Sequence, residues 1–309
     1  MVLRLFSILI GIVGIGSILI SCSSEQAQQE PVETPTSGKV TIYCDEAVAP
    51  LFDSLVYKFE AQYPEAEVDL QPVPARQAVG KLLQGKARAI ILCREYLRDE
   101  DSLLKAYHLN FPVITFAKDA LVFYAQPSFP LDTISDQQLK QVFQEGTPLD
   151  QLFGLKNAVE IVTPDQLSSV YANLTRFFTD GQPVQYPLKL LPNSDSVYRY
   201  IKSHPLALGV GYLSQVALDS SVKMLRVGFV DTTGAYVYPT RYPHQSLIVL
   251  GLYPYVVPIR GVLREDVRNL PWGVFMFLER DPQATTFYKD KGIVPTFAVI
   301  KIKVGESTK

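Results

Sequence analysis

The stretch TIYCDEAVAPLF, residues 41–52, decides the fold. Its first residues continue a β-rich run, KVTIYC, that starts at Lys39. From Val48 onward apolar residues recur at helical spacing, as Val48, Leu51, Phe52, Leu55, Val56, Phe59 and Tyr63. A buried strand therefore passes through a polar turn into one stripe of an amphipathic helix. Further on, AEVDLQPV (66–73) reads as a second strand, and Ala78, Val79, Leu82 and Leu83 mark a second helix that stops at Gly85. ARAIILC (87–93) is a third strand, apolar enough to be buried on both faces. Strand, helix, strand, helix, strand implies parallel strands with helical crossovers, and ligands of such α/β sheets bind beyond the carboxyl ends of the strands. The turn Cys44-Asp45-Glu46 lies at that end. It also lies near the start of a helix, whose free N–H groups favour anions. Two readings of the turn stand side by side: a ligand-contacting loop, or an Asp45 that caps the helix without any ligand.

The chain has 309 residues, 47% hydrophobic and 19% charged, enough for a substantial core and about two domains. A net charge of -2 supplies no basic field for nucleic acid. His108, His204 and His244 are far apart in the chain, with no metal-ligand spacing. HExxH, paired CxxC, GxSxG and P-loop motifs are all missing from the sequence. The expectation is a protein that is not an enzyme and uses neither metal nor cofactor.

At the N-terminus Arg4 precedes an apolar run from Leu5 to Ile20, followed by Leu19-Ile20-Ser21-Cys22 at its end. This resembles a bacterial lipoprotein signal, with a signal peptide over 1–22 and lipid on Cys22. The alternative is an uncleaved membrane anchor, since the run nears bilayer-spanning length. Either way the rest of the chain is expected to be tethered in the bacterial cell envelope, facing the periplasm or the exterior. Residues 23–38, SSEQAQQEPVETPTSG, hold too little apolar surface to fold. They read as a flexible linker of at most about 50 Å.

Four later stretches carry a resemblance. They are LLQGKARAIILCREYLRDE (82–100), FAKDALVFYAQPSFPLDTISDQQLKQVFQEG (116–146), SHPLALGVGYLS (203–214) and WGVFMFLERDPQATTFYKDKGIVP (272–295). In that order they resemble the phosphate-type solute-binding proteins of ABC transporters, over nearly the whole chain from about residue 39 to 304. The resemblance implies a two-lobe, type II periplasmic-binding-protein-like α/β fold, with two crossing strands forming the hinge. The crossings would fall near Ala117–Ala125 and Tyr242–Tyr253. Lobe 1 would be discontinuous, 39–118 plus 247–309, and lobe 2 would span 119–246. It also implies a monomeric partner of an ABC permease that holds a small oxyanion, phosphate, between its lobes. Two helix starts in lobe 2 have local signals, a capping box at Ser135-Asp136-Gln137-Gln138 and another at Thr163-Pro164-Asp165-Gln166.

The family's contacts map onto specific residues. The first contact loop falls on Cys44, Asp45, Glu46 and Ala47, where all its hydroxyls are replaced. The second falls on Cys93 and Arg94. Arg94 is the best anion ligand, or else the partner of Asp45 or Glu46. The third falls on TPDQLSSVY, with Ser168 and Ser169 as candidates. If Thr163 caps the helix, Thr163, Asp165 and Gln166 face the cleft instead. Three acids near an oxyanion oppose its binding, which points to a second possibility: a tethered interaction or sensor module of the same fold with an altered or lost solute site. Cys44 and Cys93 end neighbouring strands and are either bridged or two buried thiols. The tyrosines near the second crossing read as packing, with Tyr238 or Tyr242 lining the cleft as the alternative.

Overall fold

The computed structural model describes residues 33–230, 233–237 and 242–297. Cys22, the signal segment, linker residues 23–32 and Tyr238 lie outside the described residues.

The opening stretch folds as read. Strand β1 (Gly38–Asp45) leads to α1 (Ala49–Gln62), β2 (Ala66–Val73), α2 (Ala75–Leu83) and β3 (Ala89–Leu92). β1 pairs in parallel with β2 on one side and β3 on the other. Helix α1 buries Leu51, Phe52, Leu55, Val56 and Phe59, the stripe seen in the sequence. All four residues of β3 are buried, as expected of a strand covered on both faces. α2 ends before Gly85, whose φ of +73° is the left-handed conformation that favours glycine.

The chain continues through α3 (Arg98–Ala106), β4 (Val113–Ala125), β5 (Thr133–Ser135), α4 (Asp136–Glu145), α5 (Leu149–Phe153) and β6 (Glu160–Pro164). Then come α6 (Ser169–Phe178), β7 (Lys189–Leu191), α7 (Ser194–Ser203), β8 (Ala207–Tyr212) and α8 (Leu213–Val216). The last elements are β9 (Lys223–Met224), β10 (Arg226–Val230), β11 (Tyr236–Val237), α9 (Gln245–Val249), β12 (Val256–Leu263), α10 (Leu270–Arg280), α11 (Pro282–Asp290) and β13 (Val294–Pro295).

The main sheet has the order β2-β1-β3-β12-β4-β8-β6-β7, with β13 and β9 also on β4. A small sheet, β11-β10-β5, stands apart. Both ends of the main sheet are parallel, β2-β1-β3 and β8-β6-β7. The middle is antiparallel. Strand β4 belongs to both ends. Its residues Val113–Ala120 pair with β12, and Leu121–Tyr124 pair with β8. The chain returns beside this handover, where Tyr255 O accepts from Leu121 N and Tyr253 Oη donates to Leu121 O. Two α/β lobes thus share β4 and the segment entering β12, which is the expected two-lobe architecture with crossing strands. Near this junction Gly261 lets two aromatic rings close in, since a Cβ there would lie 2.4 Å from Phe275 and 2.5 Å from Phe116.

One helix start follows its sequence signal and one does not. Ser135 Oγ accepts from Gln138 N at 3.1 Å, and Gln138 Oε1 accepts from Ser135 N at 2.9 Å, a complete capping box for α4. Thr163, in contrast, caps nothing. β6 runs on through Thr163 and Pro164, which pair with Leu190 and Leu191. α6 begins five residues later, with Ser168 as its cap, its Oγ accepting from Tyr171 N at 3.1 Å. Strand pairing overrides the local capping pattern.

Candidate functional site

The carboxyl ends of β1 and β3 and the start of α6 meet between the lobes. Asp45, the last residue of β1, is fully buried there. It does not cap α1. That helix begins at Ala49 behind Val48, which gives no side-chain cap. Instead Asp45 Oδ2 accepts from Cys93 N at 3.0 Å, and Oδ1 accepts from Ala47 N at 3.3 Å. The turn after β1 and the residue after β3 supply the backbone donors of an anion cradle, and the protein's own carboxylate sits in it. Burial pushes the Asp45 carboxyl up, while Ser169, the two backbone donors and the nearby Arg94 charge hold it back. Ser169 is the first residue of α6 and fully buried. Its hydroxyl lies beside Asp45 and Tyr212 without a fully formed hydrogen bond to either.

Glu46 points across the lobes. Its Oε2 accepts from Ser194 N at 3.1 Å and its Oε1 from Ser194 Oγ at 3.0 Å. Ser194 is the first residue of α7, so the carboxylate takes one of the free N–H groups at that helix start. Burial, then the charge of Asp45, pushes the Glu46 carboxyl up to about 7. A second latch lies at the end of β3. Cys93 O accepts from Asn173 Nδ2 at 2.8 Å and from Tyr212 Oη at 3.0 Å, and Asn173 Nδ2 also reaches Tyr212 Oη at 2.8 Å. Near it Arg76 N donates to Leu167 O at 3.1 Å.

Arg94 is 1% exposed, and its partner is Glu100 rather than Asp45 or Glu46. Both terminal nitrogens donate to the two Glu100 oxygens at 2.7 Å, and one also reaches Glu95 O at 2.8 Å. Glu100 is the third residue of α3, with Leu97 N on its Oε2 at 2.9 Å, which brings it onto the fork. Thr163 is buried in β6 with its hydroxyl unpartnered. Asp165 accepts from Leu167 N at 2.8 Å within its own turn, and its charge adds to the upward push on Glu46. Gln166 is exposed. Cys44 and Cys93 are both free thiols, so the bridge is not formed. Each is fully buried, and burial pushes each thiol up.

Asp45, Ala47, Cys93 and Ser169 therefore come together, with Glu46 reaching out to Ser194. Four residues of the site escaped the sequence reading: Glu100, Asn173, Ser194 and Tyr212. Glu100 had a signal, since it closes the Arg94-x-x-x-x-x-Glu100 spacing within a recognised stretch. Asn173 is a polar residue amid the buried face of α6, and Tyr212 ends the quoted GVGY run. Ser194 had no local signal. Among the described residues no group of three metal-ligating side chains exists.

A family profile described as the PBP superfamily domain matches residues 29–243, more than two thirds of the chain. The chain belongs to the PBP superfamily. Solved structures of this PBP fold align over most of it. A putative phosphate ABC transporter substrate-binding protein with bound phosphate from Clostridium perfringens is 14% identical, with a TM-score of 0.68 over 84% of this chain and 100% of that one. An ABC-type phosphate transport receptor from Vibrio cholerae is 18% identical, with a TM-score of 0.64 over 84% and 100%. The Synechocystis CcmR regulatory domain in complex with 2-PG is 13% identical, with a TM-score of 0.53 over 78% and 96%. At such identities the likeness establishes the PBP fold, which transport receptors and a regulatory domain share; the ligand has to be argued from the site. No curated protein matches the chain.

Proposed function

We propose that this protein is a lipid-anchored extracytoplasmic solute-binding protein that serves an ABC-type permease and takes an anionic solute between its lobes. In this reading Asp45 is the built-in occupant of the deepest anion cradle. Superfamily membership supports the binding role, and the four family-like stretches in sequence order support the transport role. The lipobox-like Leu19-Ile20-Ser21-Cys22 supports the anchor. Metabolic labelling with a radioactive fatty acid tests it: label should enter the wild-type chain and be lost in Cys22→Ser.

The observation that carries the reading is the Asp45 carboxylate on Cys93 N and Ala47 N. Those donors are spent. A phosphate brought to them would face the carboxylate of Asp45 and the nearby Glu46, and like charges at such separation oppose binding. In this reading the solute is an anion other than inorganic phosphate. Calorimetric titration of the full-length chain in detergent with phosphate, and in parallel with sulfate, tests this. No saturable heat is expected from either anion. Micromolar phosphate binding would overturn the reading.

A second reading keeps phosphate as the solute, with Asp45 displaced on opening and accepting the proton of monohydrogen phosphate. Its specific support is the Arg94 charge beside Asp45, together with the burial that raises the Asp45 carboxyl. The same titration separates the two.

A further inference from the structure

Near the Asp45 cradle, a cavity of about 640 Å³ opens between the segment following β3 on one side and α6 with the turns flanking it on the other. We infer that this cavity is the solute site, and that it takes an organic anion. The anion's polar group would bind on a floor of Arg94, Asn173 and Tyr96, and its charge would meet Arg98 and Arg176. The inference rests on the reading of the chain as a solute-binding protein.

The floor has unspent hydrogen-bonding capacity. Arg94 and Asn173 are each 1% exposed and both line the cavity. The terminal nitrogens of Arg94 are taken by Glu100 and Glu95 O, but its Nε–H has no partner. Asn173 spends its Nδ2 on Cys93 O and Tyr212, while its Oδ1 has no partner. The buried Tyr96 hydroxyl also lacks one, and burial pushes it up to about 12, so it stays a donor at neutral pH. A buried donor, a buried acceptor and a hydroxyl together complement an amide or a hydroxyl group on a ligand.

The walls and mouth set the rest of the chemistry. Leu97, Leu167, Ala172, Pro183 and the Tyr171 ring give it an apolar body to hold. Of the charged residues at the cavity, Asp99 pairs with Arg76, and Glu95 with Arg260. Arg98, Arg176 and Asp180 have no ion pair among the described residues, and both arginines are exposed at the mouth. Two unpaired guanidiniums against one carboxylate select an anion, and the guanidinium fork suits a carboxylate or a phosphate ester. A volume of this order suits a small organic molecule. Inorganic phosphate, with no apolar part, gains nothing from the walls.

Calorimetric titration of the full-length chain in detergent with three probes tests the site. N-acetyl-L-phenylalanine carries a carboxylate, an amide and a ring. N-acetyl-L-phenylalaninamide lacks the charge, and inorganic phosphate lacks the organic body. Saturable binding of the first is expected, at least tenfold weaker binding of the second, and no binding of the third. The double variant Arg98→Ala/Arg176→Ala, at exposed unpaired positions, should melt like the wild type and bind the first probe at least tenfold more weakly. Failure of the first probe to saturate, or undiminished binding by the double variant, overturns the site. A chain that binds phosphate alone overturns the site and the role given to Asp45 but leaves solute binding standing. A chain that binds none of the three overturns the site without touching the absence of phosphate binding.

Discussion

A buried and a half-buried carboxylate do opposite work at the residue scale. Glu100 neutralises Arg94 through a two-pronged pair inside the protein. Removing the arginine strands a buried charge, so Arg94→Ala should cost about 3–5 kcal/mol in urea unfolding. Replacing both partners, as in Arg94→Met/Glu100→Leu, should recover most of that loss. Glu46 behaves differently, because burial and Asp45 raise its carboxyl from the ordinary 4.5 to about 7. Between those values the folded chain holds a proton that the unfolded chain has released. Stability therefore falls as pH rises from about 4.5 to 7, and the penalty is full above 7. Asp119, fully buried beside Ser214 N and raised by burial to about 6, adds a contribution of the same sign. Unfolding free energies at pH 5.5 and 7.5 should thus favour the lower pH, and Glu46→Gln should shrink the difference to the part that Asp119 contributes.

Helix starts govern the site at the scale of elements. Ser168 caps α6 and thereby sets Ser169 beside Asp45. Ser168→Ala should cost about 1 kcal/mol by thermal or urea unfolding. Gly261→Ala should cost about 1–3 kcal/mol, because a methyl group there meets the rings of Phe116 and Phe275. Much of this level was legible in the sequence. The β1–α1–β2–α2–β3 unit follows from short β-rich runs alternating with helical spacing, and the Ser135 box from its four residues. The start of α6 was not, since Thr163-Pro164-Asp165-Gln166 carries the same local signal while β7 holds Thr163 and Pro164 in a ladder. The cap is Ser168 instead, inside the stretch TPDQLSSVY. The internal occupant of the cradle was invisible for a different reason. Asp45 finds Cys93 N 48 residues away and Glu46 finds Ser194 148 residues away, pairings that no spacing along the chain encodes.

For the whole molecule, closure is built from side chains that cross between lobes. Glu46 grips Ser194, and Asn173 and Tyr212 grip Cys93 O. Tyr212→Phe and Asn173→Ala each remove one bond to Cys93 O and the bond between the two side chains, Tyr212→Phe with little change of shape. The double variant should shift the population toward an open form, seen as a larger radius of gyration in solution scattering.

The central claim is that the Asp45 carboxylate, and not a solute oxyanion, sits on the Cys93 and Ala47 amides. The most direct measurement follows the ¹⁵N–¹H signals of those two amides in wild type and Asp45→Asn while inorganic phosphate is added. Distinct amide positions are expected in the two proteins, because the carboxylate is the acceptor in one only, with no movement of the wild-type signals on adding phosphate. Saturable movement of the wild-type Cys93 and Ala47 signals with phosphate, converging on one position in both proteins, would contradict it.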